Sequence, residues 1–90
     1  GIWGQRHARY LKQHYKVRYY NLLTSGKLNG YLADIDKQAE AMFSRLLEQM
    51  AEHESITEEL KAEHPMEWIG RMNALRESAV EIVNAEVIFA

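Results

Sequence analysis

Histidine and glutamate side chains near the middle of the chain are the first candidates for chemistry, because these residue types bind metals and exchange protons. They lie in the stretch HESITEELKAEH, where His53 and Glu54 precede His64. The stretch lacks the HExxH spacing that places two histidines on one helix face as zinc ligands. The remaining glutamates are spaced as on an ordinary exposed helix. We therefore expect no metal site here.

Other catalytic patterns are missing as well. The chain has no cysteine, which excludes a thiol nucleophile and a disulfide. Gly26 and Gly30 flank Lys27 but follow no predicted strand, so they do not form a phosphate-binding loop. The Ser and Thr residues show no recognisable pattern with His and carboxylate partners. We expect no catalytic residue and no cofactor, and thus a protein that is not an enzyme.

The distinctive chemistry of the chain is its basic N-terminal segment. Residues 6–23, RHARYLKQHYKVRYYNLL, contain five Lys or Arg, two His, four Tyr and no acidic residue. Residues 1–33 carry a net charge of +6 and residues 34–90 carry −8, which gives the overall −2. Clustered cations without acids are typical of a surface that neutralises phosphates. The candidate nucleic-acid-binding residues are Arg6, Arg9, Lys12, Lys16, Arg18 and Lys27.

The same cations have a second interpretation, in which Arg6, Arg9 and Arg18 pair with glutamates of the acidic helices and the charge stays internal. The tyrosines are also divided between two roles, because a Tyr ring can pack in a core or stack on a base. We expect packing for Tyr10, Tyr19 and Tyr31. Residues 15–39 also show the outline of a helix-turn-helix motif, although any helical hairpin does so.

Helical periodicity dominates the rest of the sequence. Apolar residues recur at steps of three and four through residues 28–52 and again through residues 65–88. Shorter helices are predicted over residues 5–14, 15–24 and about 57–63. We predict a single all-α domain, residues 1–90, in which a helical bundle is built on a long antiparallel helical hairpin with two shorter N-terminal helices.

Several residues predict where these helices begin and end. Gly26 follows the second helix at the position where glycine adopts a left-handed conformation easily. Ser55 and Glu58 have the spacing of a capping box, and Thr57 is a competing N-cap. Pro65 is predicted to open the last helix.

Apolar residues lie on two faces of the last helix. One face is predicted to pack in the core of the bundle, and the other is predicted to form an interface. We expect Ile35, Leu46, Trp68 and Leu75 to be buried in the bundle. The second apolar row predicts a homodimer interface, formed by Val80, Val83, Val87 and Phe89.

The composition of the chain limits its environment. No apolar run reaches the ~18 residues of a membrane span, so we expect no membrane partner. The absence of cysteine suits a reducing compartment, and we expect a cytoplasmic protein. The sequence begins with Gly, and we expect it to be either a piece of a longer chain or a trimmed form of the protein.

Three long strings of the sequence are distinctive: GIWGQRHARYLKQH, LLTSGKLNGYLADIDKQA and ITEELKAEHPMEWIGRMNALRESAVEIVNAEVIFA. They resemble the TnpV family, small proteins encoded in transposons and integrative elements of Firmicutes. The chain departs from that family at Lys16, where relatives often have proline, and it lacks an upstream segment that relatives carry. The resemblance implies an accessory protein of a large serine recombinase, similar to an excisionase, with no catalytic residues.

Two functions are therefore expected. The chain is either a DNA-binding accessory factor of a mobile element that uses the six cations, or a helical interaction module that binds the recombinase or a second copy of itself. Exposed cations favour DNA binding, whereas Arg–Glu pairing favours the interaction module.

Overall fold

The computed structural model describes all residues, 1–90, and is helical without any strand. The helices are α1 (Ile2–His14), α2 (Lys16–Thr24), α3 (Leu28–His53), α4 (Glu58–Glu63) and α5 (Pro65–Val83). A π-helical turn, Asn84–Ile88, follows α5 directly. The all-α prediction is confirmed. None of the helices combines the length and the apolar composition needed to cross a membrane.

The predicted stop after α2 is a Schellman motif centred on Gly26. Gly26 has a φ of 75°, and the N–H of Lys27 donates to the Leu22 carbonyl at 3.0 Å. The end of α3 repeats this motif with Ser55, whose φ is 56°, and the N–H of Ile56 donates to the Ala51 carbonyl at 2.9 Å. Both ends satisfy carbonyl groups that the helix leaves free.

The use of Ser55 at the end of α3 makes the Ser55–Glu58 capping-box prediction wrong. Thr57 caps α4 instead, and its Oγ1 accepts from the N–H of Leu60 at 3.2 Å. Pro65 occupies the first turn of α5, as predicted.

Two boundaries differ from the sequence predictions for tertiary reasons. Helix α1 begins at Ile2 rather than at residue 5, because its first turn packs on α3 and buries Trp3 and Gly4. The last helix widens at residues 84–88, where the N–H of Phe89 donates to the Asn84 carbonyl at 2.8 Å, an i to i+5 bond.

The core lies where α1, α3 and the end of α5 meet. Its buried members are Trp3, Ala39, Val83, Val87 and Ile88. Side chains from the middle of α3, between Ile35 and Leu46, surround this cluster, whereas the end of α3 lies beside the middle of α5. The molecule is elongated, 54 × 20 × 18 Å.

Because the molecule is narrow, only one of the four residues predicted to be buried is buried. Leu75 is buried, but Ile35, Leu46 and Trp68 are only half-buried. Trp68 lies at the end formed by α4 and the start of α5, where the Lys61 ammonium covers its ring at 4.7 Å.

The predicted interface of the last helix is wrong for Val83 and Val87. Both belong to the core, because Trp3 of α1 packs against the same cluster. Val80 is half-buried beside this cluster. Phe89 is partly exposed, and its ring lies 5.4 Å from that of Tyr10.

Glycine at position 4 allows α1 to lie very close to α3. A Cβ atom added there would lie 2.9 Å from the backbone oxygen of Leu32. Such a distance is below ordinary van der Waals contact, so one helix would have to move. Gly70, in the second turn of α5, is different, because a Cβ added there would meet nothing within 4 Å.

These two glycines predict opposite effects of alanine on stability. Gly4→Ala should lower the free energy of unfolding by about 1–3 kcal/mol, because it forces α1 away from α3. Gly70→Ala should raise it by about 0.5–1 kcal/mol, because alanine favours the helix and fits without contact. Urea unfolding followed by circular dichroism measures both. Equal effects of the two variants would contradict the close packing of α1 on α3.

Candidate nucleic-acid interface

The residues of α1 that face the core determine which side of the helix carries its cations. The buried residues Trp3, Gly4, His7 and Leu11 recur at helical spacing and face the core. The sequence analysis predicted a helix over residues 5–14 but did not identify this inward face. The missed signal is the spacing of Trp3, His7 and Leu11, which are four residues apart.

His7 is buried and makes two hydrogen bonds. Its Nδ1 lies 2.6 Å from the carbonyl oxygen of Ile88, and its Nε2 lies 2.8 Å from the hydroxyl of Tyr31. A carbonyl oxygen only accepts, so Nδ1 donates and, in the neutral ring, Nε2 accepts from Tyr31. His7 thereby joins α1 to α3 and to the π turn.

Two of the predicted binding residues are held by neutral partners. Arg6 Nη1 donates to Asn84 Oδ1 at 2.9 Å, and its guanidinium lies 5.2 Å from the centre of the Trp3 ring. Arg18 Nη2 donates to the Tyr31 hydroxyl at 3.2 Å. These contacts fix the side chains while leaving their positive charges uncompensated.

The expected alternative, pairing of Arg6, Arg9 and Arg18 with glutamates, is therefore wrong. The only ion pair between two side chains joins Arg71 and Glu67, at 3.4 Å within α5. One glutamate of α3, Glu40, does reach α1, but it accepts from Trp3 Nε1 at 3.0 Å, because the face that α1 presents to α3 carries Trp3 and His7 rather than cations.

Three predicted residues come together in one shallow groove between α1 and α2. We call it the basic groove, and its lining residues are Arg9, Lys12, Gln13, Lys16 and Tyr20. The three cations are exposed. Gln13 and Tyr20 were not among the predicted binding residues.

A second groove adjoins the first and shares Arg9 and Gln13 with it. It also contains Arg6, together with Tyr10, His14 and Phe89. Arg18 and Lys27 line neither groove. Four of the six predicted cations thus lie on one continuous surface, and two do not.

The tyrosines divide as predicted. Tyr10, Tyr19 and Tyr31 are half-buried, whereas Tyr15 and Tyr20 remain about half exposed. The interaction of Tyr10 with the Tyr15 side chain, together with partial burial, raises the pKa of the Tyr10 hydroxyl above its ordinary value.

A carboxylate stabilises the N-terminus of α1. The N–H of Gly4 donates to Asp36 Oδ1 at 2.9 Å, which holds the pKa of Asp36 below its ordinary value of 3.8. A negative charge at a helix N-terminus also interacts favourably with the helix dipole. Asp36 therefore helps to attach the basic helix to α3.

The histidines and glutamates considered for metal binding lie elsewhere. His53 and Glu54 line a groove between α3 and α5 with Gln49, Met50 and Ser78. No three His, Asp or Glu side chains come together as a metal-binding group.

Fold and surface together define a small, all-helical protein with an unpaired basic surface at one end. Residues 1–88 match the family model described as transposon-encoded protein TnpV. The match spans nearly the whole chain, and the chain belongs to the TnpV family, which confirms the resemblance of its sequence strings. Comparisons with curated proteins and with solved structures give no match.

The hydrogen bonds of His7 predict a measurable loss of stability. His7→Phe leaves the Ile88 carbonyl and the Tyr31 hydroxyl without this partner, and it should lower the free energy of unfolding by about 1–3 kcal/mol. Tyr20→Phe, which removes an exposed hydroxyl, is the control and should have no effect. Urea unfolding measures the free energy of unfolding of both variants. A His7→Phe protein with the same free energy of unfolding as the parent would contradict the bridging role of His7.

The contact of Asp36 predicts a pH dependence. Its lowered pKa means that its stabilising contribution is complete above pH 3.8 and is lost as the pH falls through the lowered value. Asp36→Asn should therefore be less stable than the parent at neutral pH, with the difference shrinking in acid. Asp34→Asn, an exposed neighbour on α3, is the control for thermal unfolding across this pH range. A stability difference between Asp36→Asn and the parent that does not change with pH would exclude an effect of the Asp36 charge.

Proposed function

We propose that this transposon-encoded protein is a non-catalytic accessory factor that binds DNA of its mobile element through the basic groove. The observation that carries the proposal is that Arg9, Lys12 and Lys16 line one groove, are exposed and pair with no carboxylate. Cations in such an arrangement contact phosphates and release counterions.

Stability alone does not account for the cluster. An exposed ion pair contributes only ~0–1 kcal/mol, and these cations make none. Residues 1–33 nevertheless carry six cations and no acid. Phosphate contacts provide a role for the unpaired charges, with little reading of the base sequence by the cations themselves.

The scaffold supports such a role. The middle of α3 contacts the end of α5, and the end of α3 lies beside the middle of α5, which supports a helical hairpin as the core of the bundle. Helices α1 and α2 present the groove at one end of this scaffold. In the cytoplasm, an excisionase-like factor of this kind would bind beside the element's recombinase.

A second candidate function is that of a protein interaction module that binds the recombinase or a second copy and does not touch DNA. The observation that favours it is the exposure of large apolar side chains, among them Val17 at 76% and Met66 at 81%. Exposed apolar surface often marks protein contacts.

Salt-dependent DNA binding tests the first function. If Arg9, Lys12 and Lys16 contact phosphates, the logarithm of the binding constant should fall with the logarithm of the salt concentration with a slope of about −2.7. Replacing Arg9 and Lys12 with Ala should flatten the slope by about 1.8, because two contacts are lost. Fluorescence anisotropy with element-end DNA and with random DNA measures both slopes.

The matched control replaces Arg45 and Arg76 with Ala, which removes the same charge from exposed positions of α3 and α5. Its slope should equal that of the parent. A parent that fails to bind either DNA at low salt, or equal slopes in all three proteins, would overturn the proposed DNA contact and favour the interaction module.

A further inference from the structure

The two ends of the molecule carry opposite charges. Residues 1–33 have a net charge of +6, and residues 48–67 have seven acidic residues and one lysine, a net charge of −6. Helix α3 connects these ends and, with 26 residues, is about 39 Å long. This distance exceeds the Debye length of about 8 Å at physiological salt, so the ends do not neutralise each other.

The outward face of α2 is an unpartnered surface at the basic end. No residue of α2 is buried. Val17, Tyr20 and Leu23 are spaced three residues apart, and all three are exposed. Tyr20 also lines the basic groove beside Lys16. The surface is therefore apolar in its middle and positively charged along its border with α1.

The start of α5 presents the complementary surface at the acidic end. Met66 and Ile69, one helical turn apart, are exposed, and Gly70 beside them has open space around it. Glu59 and Glu63 of α4 precede this surface, are exposed and make no ion pair. Here too an apolar patch adjoins charge, but the charge is negative.

We propose that the α2 surface of one copy of this chain binds the surface at the start of α5 in a second copy. Apolar residues would meet apolar residues, and the unpaired lysines and arginines would meet unpaired glutamates. In the proposed dimer the two molecules lie antiparallel, and the contact forms once at each end, which closes the assembly. Gly70 then allows the close approach of the partner helix.

This contact differs from the interface predicted from the apolar rows of the last helix, because Val83 and Val87 are in the core. It shares Lys16 and Tyr20 with the basic groove, so DNA and a second copy compete for the same end. The self-association involves no DNA, and it can therefore be tested separately from DNA binding.

Reciprocal charge reversal tests the proposal in sedimentation velocity experiments on the full chain. The parent should associate at about 50 mM salt and dissociate at about 500 mM salt, where the Debye length is much shorter. Arg9→Glu with Lys16→Glu, and Glu59→Lys with Glu63→Lys, should each give monomers at low salt. Mixing the two variants restores opposite charges at both contacts and should yield a 1:1 heterodimer.

Two controls separate this contact from general charge effects. Lys37→Glu with Arg45→Glu makes the same charge change on exposed positions of α3 and should leave the association intact. Met66→Gln with Val17→Ser keeps all charges and should weaken association at both salt concentrations. A parent that is monomeric throughout, or a mixture of the reversed variants that does not associate, would overturn the proposal.

Discussion

The packing of α1 on α3 is the constraint on which the rest of the structure depends. Gly4 allows the two helices to approach, and Asp36 accepts from its backbone N–H. His7 then ties α1 to Tyr31 of α3 and to the Ile88 carbonyl of the π turn. Since these contacts occupy one face of α1, its cations must lie on the opposite face. A buried polar contact thus determines which surface of α1 faces solvent.

The same packing keeps the two signs of charge apart. Arg6 and Arg18 are fixed by Asn84 and Tyr31, which are neutral and leave the positive charge in place. Carboxylates would have satisfied the same donors with stronger hydrogen bonds. Leaving these charges unpaired does not stabilise the fold. A surface that binds an anionic partner, in contrast, needs positive charges that no carboxylate neutralises.

The sequence predicts the helices well, because their signal is local. Apolar periodicity predicts α3 and α5, and Gly26 and Pro65 predict two boundaries. The π turn and the early start of α1 cannot be read in this way, because both depend on contacts between residues far apart in the sequence, such as Gly4 with Asp36 and Arg6 with Asn84. For the same reason, the predicted interface at Val83 and Val87 was wrong. Periodicity identifies an apolar face but does not identify what covers it.

The residues that the fold does not need indicate where its function lies. Gly70 lowers helix propensity, by about 1 kcal/mol relative to alanine, without any packing reason within the monomer. Val17 and Met66 are largely exposed, although burying such apolar side chains would stabilise the fold. Such local conflicts are expected at functional surfaces, where binding outweighs stability. Here they lie at the two ends of an elongated molecule, next to charges of opposite sign, so the ends and not the core are where partners should be sought.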